Sequence, residues 1–576
     1  MPDPASAGPV RLTVDGAPLE APAGVSVAAA LLEAGRRSWR TTRRAAAPRG
    51  LFCGIGVCFD CLVTLNGQRG VRACLVDARD GDRIETGTDT PLVAEPPAAP
   101  SRHQADLAVV GAGPAGLAAA VAAADAGCSV TVLDQGERVG GQYWRWGPRT
   151  DGGAAHHGWA TFAALRSHFS EHQAAGRIRH LAGHEVFRLE PSGAGGWRVQ
   201  AVAGERQRGL VEVAAPAALV ATGAYDRPVP FPGWTLPGVL TAGGAQSLLK
   251  GSGTVAGRRV VVAGTGPFLL AVAAGLVSAG AQVAAVVEAT RPGGYLRHPR
   301  TVAGVWPKLG EAAGYLATLA HHRVPLLAGQ AVVAADGDDR GVRSVTVAAV
   351  DRAWVPRPGT ERQIAADLLA TGYGFVPQVE LLADAGARLA VGPAGTAAAV
   401  VDAGQQTSRQ GLFAAGETTG VGGADLAVAE GTAAGLTVAR RLGRRTAAPS
   451  RTGASPERLR RFGDLMDRLH APPAGWVGWQ QPDTVVCRCE EVTVADLSAA
   501  HDLGADDARS AKLLARPGMG WCQGRTCGLA VAGLVAHLTG TPPTDTDLTA
   551  LVHRPLAQPV PLNALAQLAD PPPPTS

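Results

Sequence analysis

The chain has 576 residues, 46% of them apolar and 18% charged, with a net charge of +4; at about 150 residues per domain it needs several cores, and it is too apolar to be disordered. Gly (75) and Pro (42) make up about a fifth of it, short of the roughly 25–30% of low-complexity chains, so collagen-like and disordered classes are excluded. A charge this small over this length recruits neither nucleic acid nor an anionic membrane, which leaves small molecules and proteins as partners.

Met1 to Gly16 holds no apolar run, so neither signal peptide nor anchor is read there and the cytoplasm is expected, with contact to the inner membrane only through a partner or acceptor. Residues 10 to 20 alternate around Asp15-Gly16, the pattern of a hairpin. Ser26 then caps a short helix through Ala34, and the segment Arg36, Arg37, Arg40, Arg43, Arg44 reads as a solvated basic face rather than a docking patch. With only Lys250, Lys308 and Lys512 as lysines, the arginine bias, like the abundance of Ala and Gly, reads as genome composition.

Nine cysteines in a reducing compartment point to metal or redox chemistry. Cys53-x4-Cys58-x2-Cys61, with Cys74 twelve residues on, follows the plant-type ferredoxin spacing. Three thiolates must curl around one core from a single loop; Gly54 and Gly56 let it turn and bring N–H groups near sulfur, which raises the reduction potential. A [2Fe–2S] cluster is expected, with structural zinc as the alternative. Strand Leu62 to Leu65 ends at Asn66-Gly67, and residues 1–94 form an expected β-grasp ferredoxin-like domain, followed by a linker at 95–105.

From Asp106 the pattern becomes strand, glycine turn, Ala-rich helix and strand. In Gly111-Ala112-Gly113-Pro114-Ala115-Gly116, Gly111 permits the turn, Gly113 admits a pyrophosphate and Gly116 lets helix and strand pack closely; Asp134 can bind ribose hydroxyls. The unit repeats at Arg259 to Val287, where Gly264-Thr265-Gly266-Pro267-Phe268-Leu269 puts a bulky side chain in place of the third glycine. That opposes NAD(P) binding; Glu288 follows nineteen residues later, and the expectation is a retained fold with its site closed or reused. Leu107 to Ala124 and Val260 to Val287 are apolar, yet the Gly-x-Gly-Pro turn in each favours a buried strand and helix over a membrane span. The fold class is therefore α/β, two nested Rossmann-like domains: FAD-binding parts at 106–240 and 365–445 around a second nucleotide-type domain at 241–364.

The stretch 446–481 is expected as a linker, 482–545 as a small helical domain and 546–576 as a tail with a disordered Pro-rich end. Cys487-Arg488-Cys489 and, after thirty-two residues, Cys522-Gln523-Gly524-Arg525-Thr526-Cys527 bring four further thiolates together. No Cys-x-x-Cys accompanies the second nucleotide-type domain, and lone Cys128 reads as a small buried residue, so a disulfide reductase is not expected.

Gly140-Gly141-Gln142, the segments Ala221-Thr222-Gly223 and Ala370-Thr371-Gly372, and Leu412-Phe413-Ala414-Ala415-Gly416-Glu417 resemble the two-dinucleotide-binding-domain flavoproteins. The resemblance implies FAD, with Gly141, Gln142, Thr222, Gly223, Gly416 and Glu417 at the cofactor; Glu417 stands where that family usually has Asp, on the ribityl chain. The helix after Gly423 would aim its positive end at the flavin N1 side. The last cysteine set resembles the bacterioferritin-associated-ferredoxin-like [2Fe–2S] domain, which typically ends Cys-x2-Cys where this chain has Cys-x4-Cys; zinc is the alternative.

Together the four parts resemble hydrogen cyanide synthase A and B subunits fused, and are similar to the alpha subunits of opine oxidase, dye-linked proline dehydrogenase and heterotetrameric sarcosine oxidase. That resemblance implies an FAD- and iron–sulfur-dependent oxidoreductase acting on the carbon–nitrogen bond of small amino acids or amines, a beta subunit flavoprotein carrying the substrate site, and an external electron acceptor. The ring of the flavin is expected between the two clusters. No catalytic acid or base is assigned; His156, His157 and Tyr225 read as structural or surface residues. A self-contained NAD(P)H-dependent reductase and a zinc-stabilised assembly protein stay open as other readings.

Overall fold

A computed structural model describes residues 8–87, 100–150, 156–193, 195–204, 209–446 and 455–568. Residues 95–99 of the expected 95–105 linker and the end of the tail lie outside these residues, while Ser101–Gln104 of that linker is a strand paired with Leu210–Ala215. The amino-terminal sheet runs Ala17–Ala21, Val10–Val14, Arg83–Glu85, Leu62–Leu65, Gln68–Arg72. Asp15 and Gly16, at φ 52° and 80°, form the mirror-image turn that suits a twisted hairpin. The helix Val27–Glu33 starts where the Ala29 N–H donates to the Ser26 hydroxyl, and it lays Val27 to Leu31 on the sheet.

The next sheet is parallel, in the order Ile178–Ala182, Val130–Asp134, Leu107–Val110, Ala217–Val220, Leu412–Ala414. Its inner strands Leu107–Val110 and Ala217–Val220 are covered on both faces, so they read as unbroken apolar runs. A second parallel sheet is ordered Val239–Thr241, Leu368–Gly372, Arg259–Gly264, Gln282–Glu288, Leu326–Ala328. It is built from chain lying between Val220 and Leu412, so the second α/β unit is inserted into the first.

Helices Pro114–Asp125 and Ala424–Arg441 cross almost backbone to backbone. A methyl group on Gly431 would collide with the Ala115 carbonyl oxygen, and one on Gly435 with that of Ala119. Part of the Ala and Gly excess, read from sequence as composition alone, is thus a packing requirement.

Three sequence expectations are corrected. Residues 456–479 are no linker: helix Pro456–His470 buries Leu459 and Leu465, and the turn Ala474–Trp479 buries both of its tryptophans, since these apolar side chains find cover between the units. Within 546–568, Val552, Ala557 and Ala564 are buried, and Arg554 joins Arg525 on the Glu380 carboxylate at 2.9 and 2.8 Å. The basic run is a solvated face only in part: Arg43 and Arg44 are exposed, whereas Arg36, Arg37 and Arg40 are half-buried. Arg36 pairs with Asp15, Arg37 reaches the Asp367 carbonyl, Arg40 donates to the carbonyls of Phe59 and Asp60, and the Arg44 N–H donates to Glu491. Two of these five, Arg37 and Arg44, tie the ferredoxin unit to partners distant in sequence, and Arg36 and Arg40 brace it internally.

Because the Gly431 contact is with backbone, it cannot relax by a rotamer change. Gly431→Ala is expected to cost about 1–3 kcal/mol, read as a lower denaturation midpoint, and to loosen flavin retention in the same preparation.

Candidate functional site

All the expected flavin-site residues except Gly116 line one cavity of about 1560 Å³. Gly116 works from behind: a side chain there would strike the Gly111 carbonyl, so the helix Pro114–Asp125 could not start so close under the strand Leu107–Val110. The first turn of that helix and the Gly111–Gly113 bend present backbone N–H groups, while Gly141 sits with its α-carbon side against Gly113. The Asp134 carboxylate accepts from the N–H groups of Ala112 and Gly136, one on each oxygen, and each oxygen keeps a second lone pair for a ribose hydroxyl. Thr222 donates its hydroxyl to the Gln378 carbonyl at 2.6 Å. Glu417 lies beside Gly423, the residue that caps helix Ala424–Arg441; burial pushes its carboxyl up to about 7, against the Gly423 N–H. The groups present therefore fit a dinucleotide with a long polar chain.

The ferredoxin loop forms part of this cavity's wall through Gly54, Ile55, Val57 and Cys74. Arg145 fastens it there, donating to the Gly54 carbonyl (3.0 Å), the Gln142 amide oxygen (2.9 Å) and the Ser247 hydroxyl (2.9 Å). Gln135 donates to the Ile55 carbonyl at 3.2 Å. Sequence reading passed over both; their only signal was position, Gln135 next to Asp134 and Arg145 three residues after Gln142.

Cys53, Cys58, Cys61 and Cys74 are all buried. They associate as two pairs, Cys53 with Cys58 and Cys61 with Cys74. Burial pushes the Cys53 thiol up, but the Cys58 thiol and the N–H groups of Ile55, Cys58 and Val57 outweigh it and hold it at about 7. Gly54 and Gly56, at φ 66° and 82°, give the loop the turn that aims those N–H groups inward. In the second set, Cys489 Sγ lies 3.8 Å from Cys487 Sγ and 4.0 Å from Cys522 Sγ, Cys527 pairs with Cys487, and the Gly518 N–H donates to Cys487 Sγ at 3.4 Å. Among the described residues no three or more His, Cys, Asp or Glu side chains are set to close on a single metal ion. Cys128 is fully buried and apart from both sets, as expected.

The second glycine turn borders the same cavity, through Gly266, Phe268, Leu269, Glu288 and Thr290, with side chains of its own chain packed beside it. Leu269 is buried within van der Waals reach of the Gly372 position. His470, ending helix Pro456–His470, shares hydrogen bonds with the Thr265 hydroxyl (2.8 Å) and the Tyr295 hydroxyl (2.6 Å), and its ring stands over Gly266. Glu288 accepts from the Gly266 and Thr290 N–H groups at 2.8 Å each. His156 holds the Arg145 carbonyl and packs on Trp159, Tyr225 is buried in the core, and half-exposed His157 faces Glu311 at 3.4 Å.

One titration follows. An unfolded chain loses the Glu417 proton near 4.5, whereas the folded protein holds it to about 7, so the folded state binds more protons in that window and stability falls as pH rises through it. Thermal melts of apoprotein should show Glu417→Gln gaining on the parent from pH 5 to pH 8, roughly 1 kcal/mol or more by the upper end; parallel curves would contradict this.

Three family models match the chain: a 2Fe-2S iron-sulfur cluster binding domain over residues 7–89, pyridine nucleotide-disulphide oxidoreductase over 105–433, and the sarcosine oxidase A3 domain over 481–568. Hydrogen cyanide synthase subunit HcnB of Pseudomonas protegens is 34% identical, covering 73% of this chain and 89% of that protein. An opine oxidase subunit of Agrobacterium tumefaciens is 32% identical, covering 80% and 92%. The crystal structure of L-proline dehydrogenase from P. horikoshii shares the fold, with a TM-score of 0.69 at 20% identity over 98% of both chains. No helix among the described residues is long and apolar enough to cross a membrane. The chain thus belongs to the pyridine nucleotide-disulphide oxidoreductase family, in the group of flavin- and [2Fe–2S]-domain oxidoreductase subunits that includes HcnB and its opine oxidase counterpart.

Proposed function

We propose that this protein is the electron-transferring, alpha-type component of an amino-acid or amine dehydrogenase or oxidase, with FAD in the glycine-lined cavity and a [2Fe–2S] cluster on each cysteine set. The observation that carries the reading is the shared wall: the glycine cradle and the Cys74 loop face one cavity, with Arg145 bonded to both sides. Bound flavin accepts an electron pair from a carbon–nitrogen donor and releases single electrons, which iron–sulfur centres take one at a time.

The chain's own groups have definite tasks. Gly111, Gly113, Pro114, Ala115 and Gly141 seat the pyrophosphate against backbone N–H groups, Asp134 takes ribose hydroxyls, and Glu417 with Gly423 holds the ribityl chain beside a helix N-terminus. Arg145 fixes the first cysteine loop at the edge of that seat. The N–H groups turned toward Cys53 and Cys487 stabilise thiolate and so favour the reduced centre.

Two features speak for an amine donor brought by a beta subunit rather than NAD(P)H. Leu269 stands where a third glycine would let helix and strand close on a nicotinamide nucleotide, and His470 stands beside Gly266. The relatives are named as subunits, of hydrogen cyanide synthase and of opine oxidase.

Anaerobic protein isolated with its genomic neighbours should have its flavin reduced by one member of a panel of glycine, sarcosine, proline, hydroxyproline and opines, while NADH and NADPH leave it oxidised in stopped flow. Rapid bleaching by either nucleotide would instead establish a self-contained reductase, and turnover of an amine without a partner would remove the two-subunit claim. Cys61→Ser and Cys522→Ser should each cost one cluster's iron and sulfide; zinc in their place would overturn the cluster assignment.

A further inference from the structure

The two cysteine sets meet. Arg488 stands between Cys487 and Cys489, and its side chain reaches into the first set's loop. Its Nε donates to Asp60 Oδ2 at 2.8 Å, across 428 residues of sequence, and its guanidinium lies 4.0 Å from the ring centroid of Phe52. Asp60 precedes Cys61 and Phe52 precedes Cys53. A second touch joins Phe59, next to Cys58, to Trp521, next to Cys522, with ring centroids 5.8 Å apart. Residues flanking three cysteines of one set thus contact residues flanking three of the other.

The charge balance points the same way. Around Asp60, at 1% side-chain exposure, stand Arg488 at 6% and Arg40, whose Nη2 is 3.6 Å from Oδ1; buried Arg49 lies close by. An excess of buried guanidinium is costly unless anions face it. Four thiolates and two sulfides outweigh two ferric irons, so a cluster on either side supplies that negative charge. Cys74 of the first set lines the large cavity, whereas no cysteine of the second is among the described residues lining it. Trp521, 56% exposed, puts the second set toward the surface.

We infer that the centres form a linear relay, flavin cavity to amino-terminal centre to carboxy-terminal centre, with Arg488 and Asp60 as the residues that position the second step. This revises the arrangement expected from sequence, in which the flavin lies between the clusters, and it rests on the proposed second cluster. In the step itself one electron leaves the reduced first centre, which returns to its oxidised state, and reduces the second; no bond forms or breaks and no proton moves. The first centre is re-reduced by the second electron of the flavin pair. Arg488 has a double part: it clamps the two loops together, and its positive charge beside Cys487 and Cys489 favours the reduced state of the centre they hold.

The full chain, isolated without oxygen, carries the test. Iron and acid-labile sulfide are assayed first and are expected at twice the content of one two-iron cluster. On stepwise reduction followed by electron paramagnetic resonance, the cluster signals should broaden or split each other in the fully reduced protein. Asp60→Asn should raise the midpoint potential of the first centre and Arg488→Gln should lower that of the second, with shifts in the double variant that differ from the sum. Should Arg488→Gln fail to load iron, Arg488→Lys serves, keeping the charge and losing the planar fork: the second centre's potential is then largely retained while the mutual broadening falls. Single-cluster content removes the second cluster and the relay together. Double content with independent signals in the unsubstituted protein overturns the relay and leaves the proposed cofactor set standing.

Discussion

The buried ion pair between Asp60 and Arg488 is the constraint on which the assembly of the chain turns. Neither group is tolerable in the interior without the other: removing one partner of such a pair costs about 3–5 kcal/mol, a large share of the roughly 5–15 kcal/mol that holds a folded protein together. The two residues come from opposite ends of the sequence, so the ferredoxin unit and the terminal cysteine unit reach their stable state only when docked. Thr42, Arg44 and Ala45 reinforce the joint by donating to the Glu491 carboxylate, which their bonds and the nearby Arg49 charge hold below the ordinary range despite partial burial. The Trp234 indole packs beside Phe52 against the Arg488 guanidinium, 4.9 Å to the centroid, and donates its N–H to the Val485 carbonyl at 2.6 Å, tying the inserted unit into the same joint.

The flavin-site geometry depends on a different economy, the near absence of side chains. Where helices Pro114–Asp125 and Ala424–Arg441 cross, Gly431 and Gly435 let one backbone rest on the other, and Gly416 approaches Ala115 in the same layer. That close crossing brings the Glu417 end of the fold over the Gly111–Gly113 turn. Arg145 and Gln135 then carry the positioning outward, linking the seat of the cofactor to the loop that bears Cys53. Cavity, loop and joint form one continuous path from glycine cradle to exposed Trp521.

The second glycine turn keeps its fold for reasons independent of any ligand. The strand, turn and helix persist because they bury Val260, Val262, Leu269 and Val272 in the core, which needs no nucleotide. Helix Pro456–His470, read from sequence as linker, is free to lay His470 and Leu469 beside its edge, and Glu288 keeps its two backbone partners with burial raising its carboxyl to about 7.

Sequence alone determined the local chemistry. Spacing picked out the two cysteine sets that the fold brings together, because ligands drawn from one loop leave a fixed register, and Gly111, Gly113 and Gly116 picked out the strand-to-helix turn, because only a missing side chain permits that close approach. Hairpin, cap and strand runs were equally legible, each depending on neighbours a few residues away. What only the tertiary structure decided were relations across long stretches of chain: that Arg488 faces Asp60, that Arg37 reaches Asp367, that the Arg44 backbone meets Glu491, that His470 stands beside Gly266, and that part of the alanine and glycine content is contact surface. A buried charge announces its partner through burial and distance, and neither quantity exists until the chain has folded.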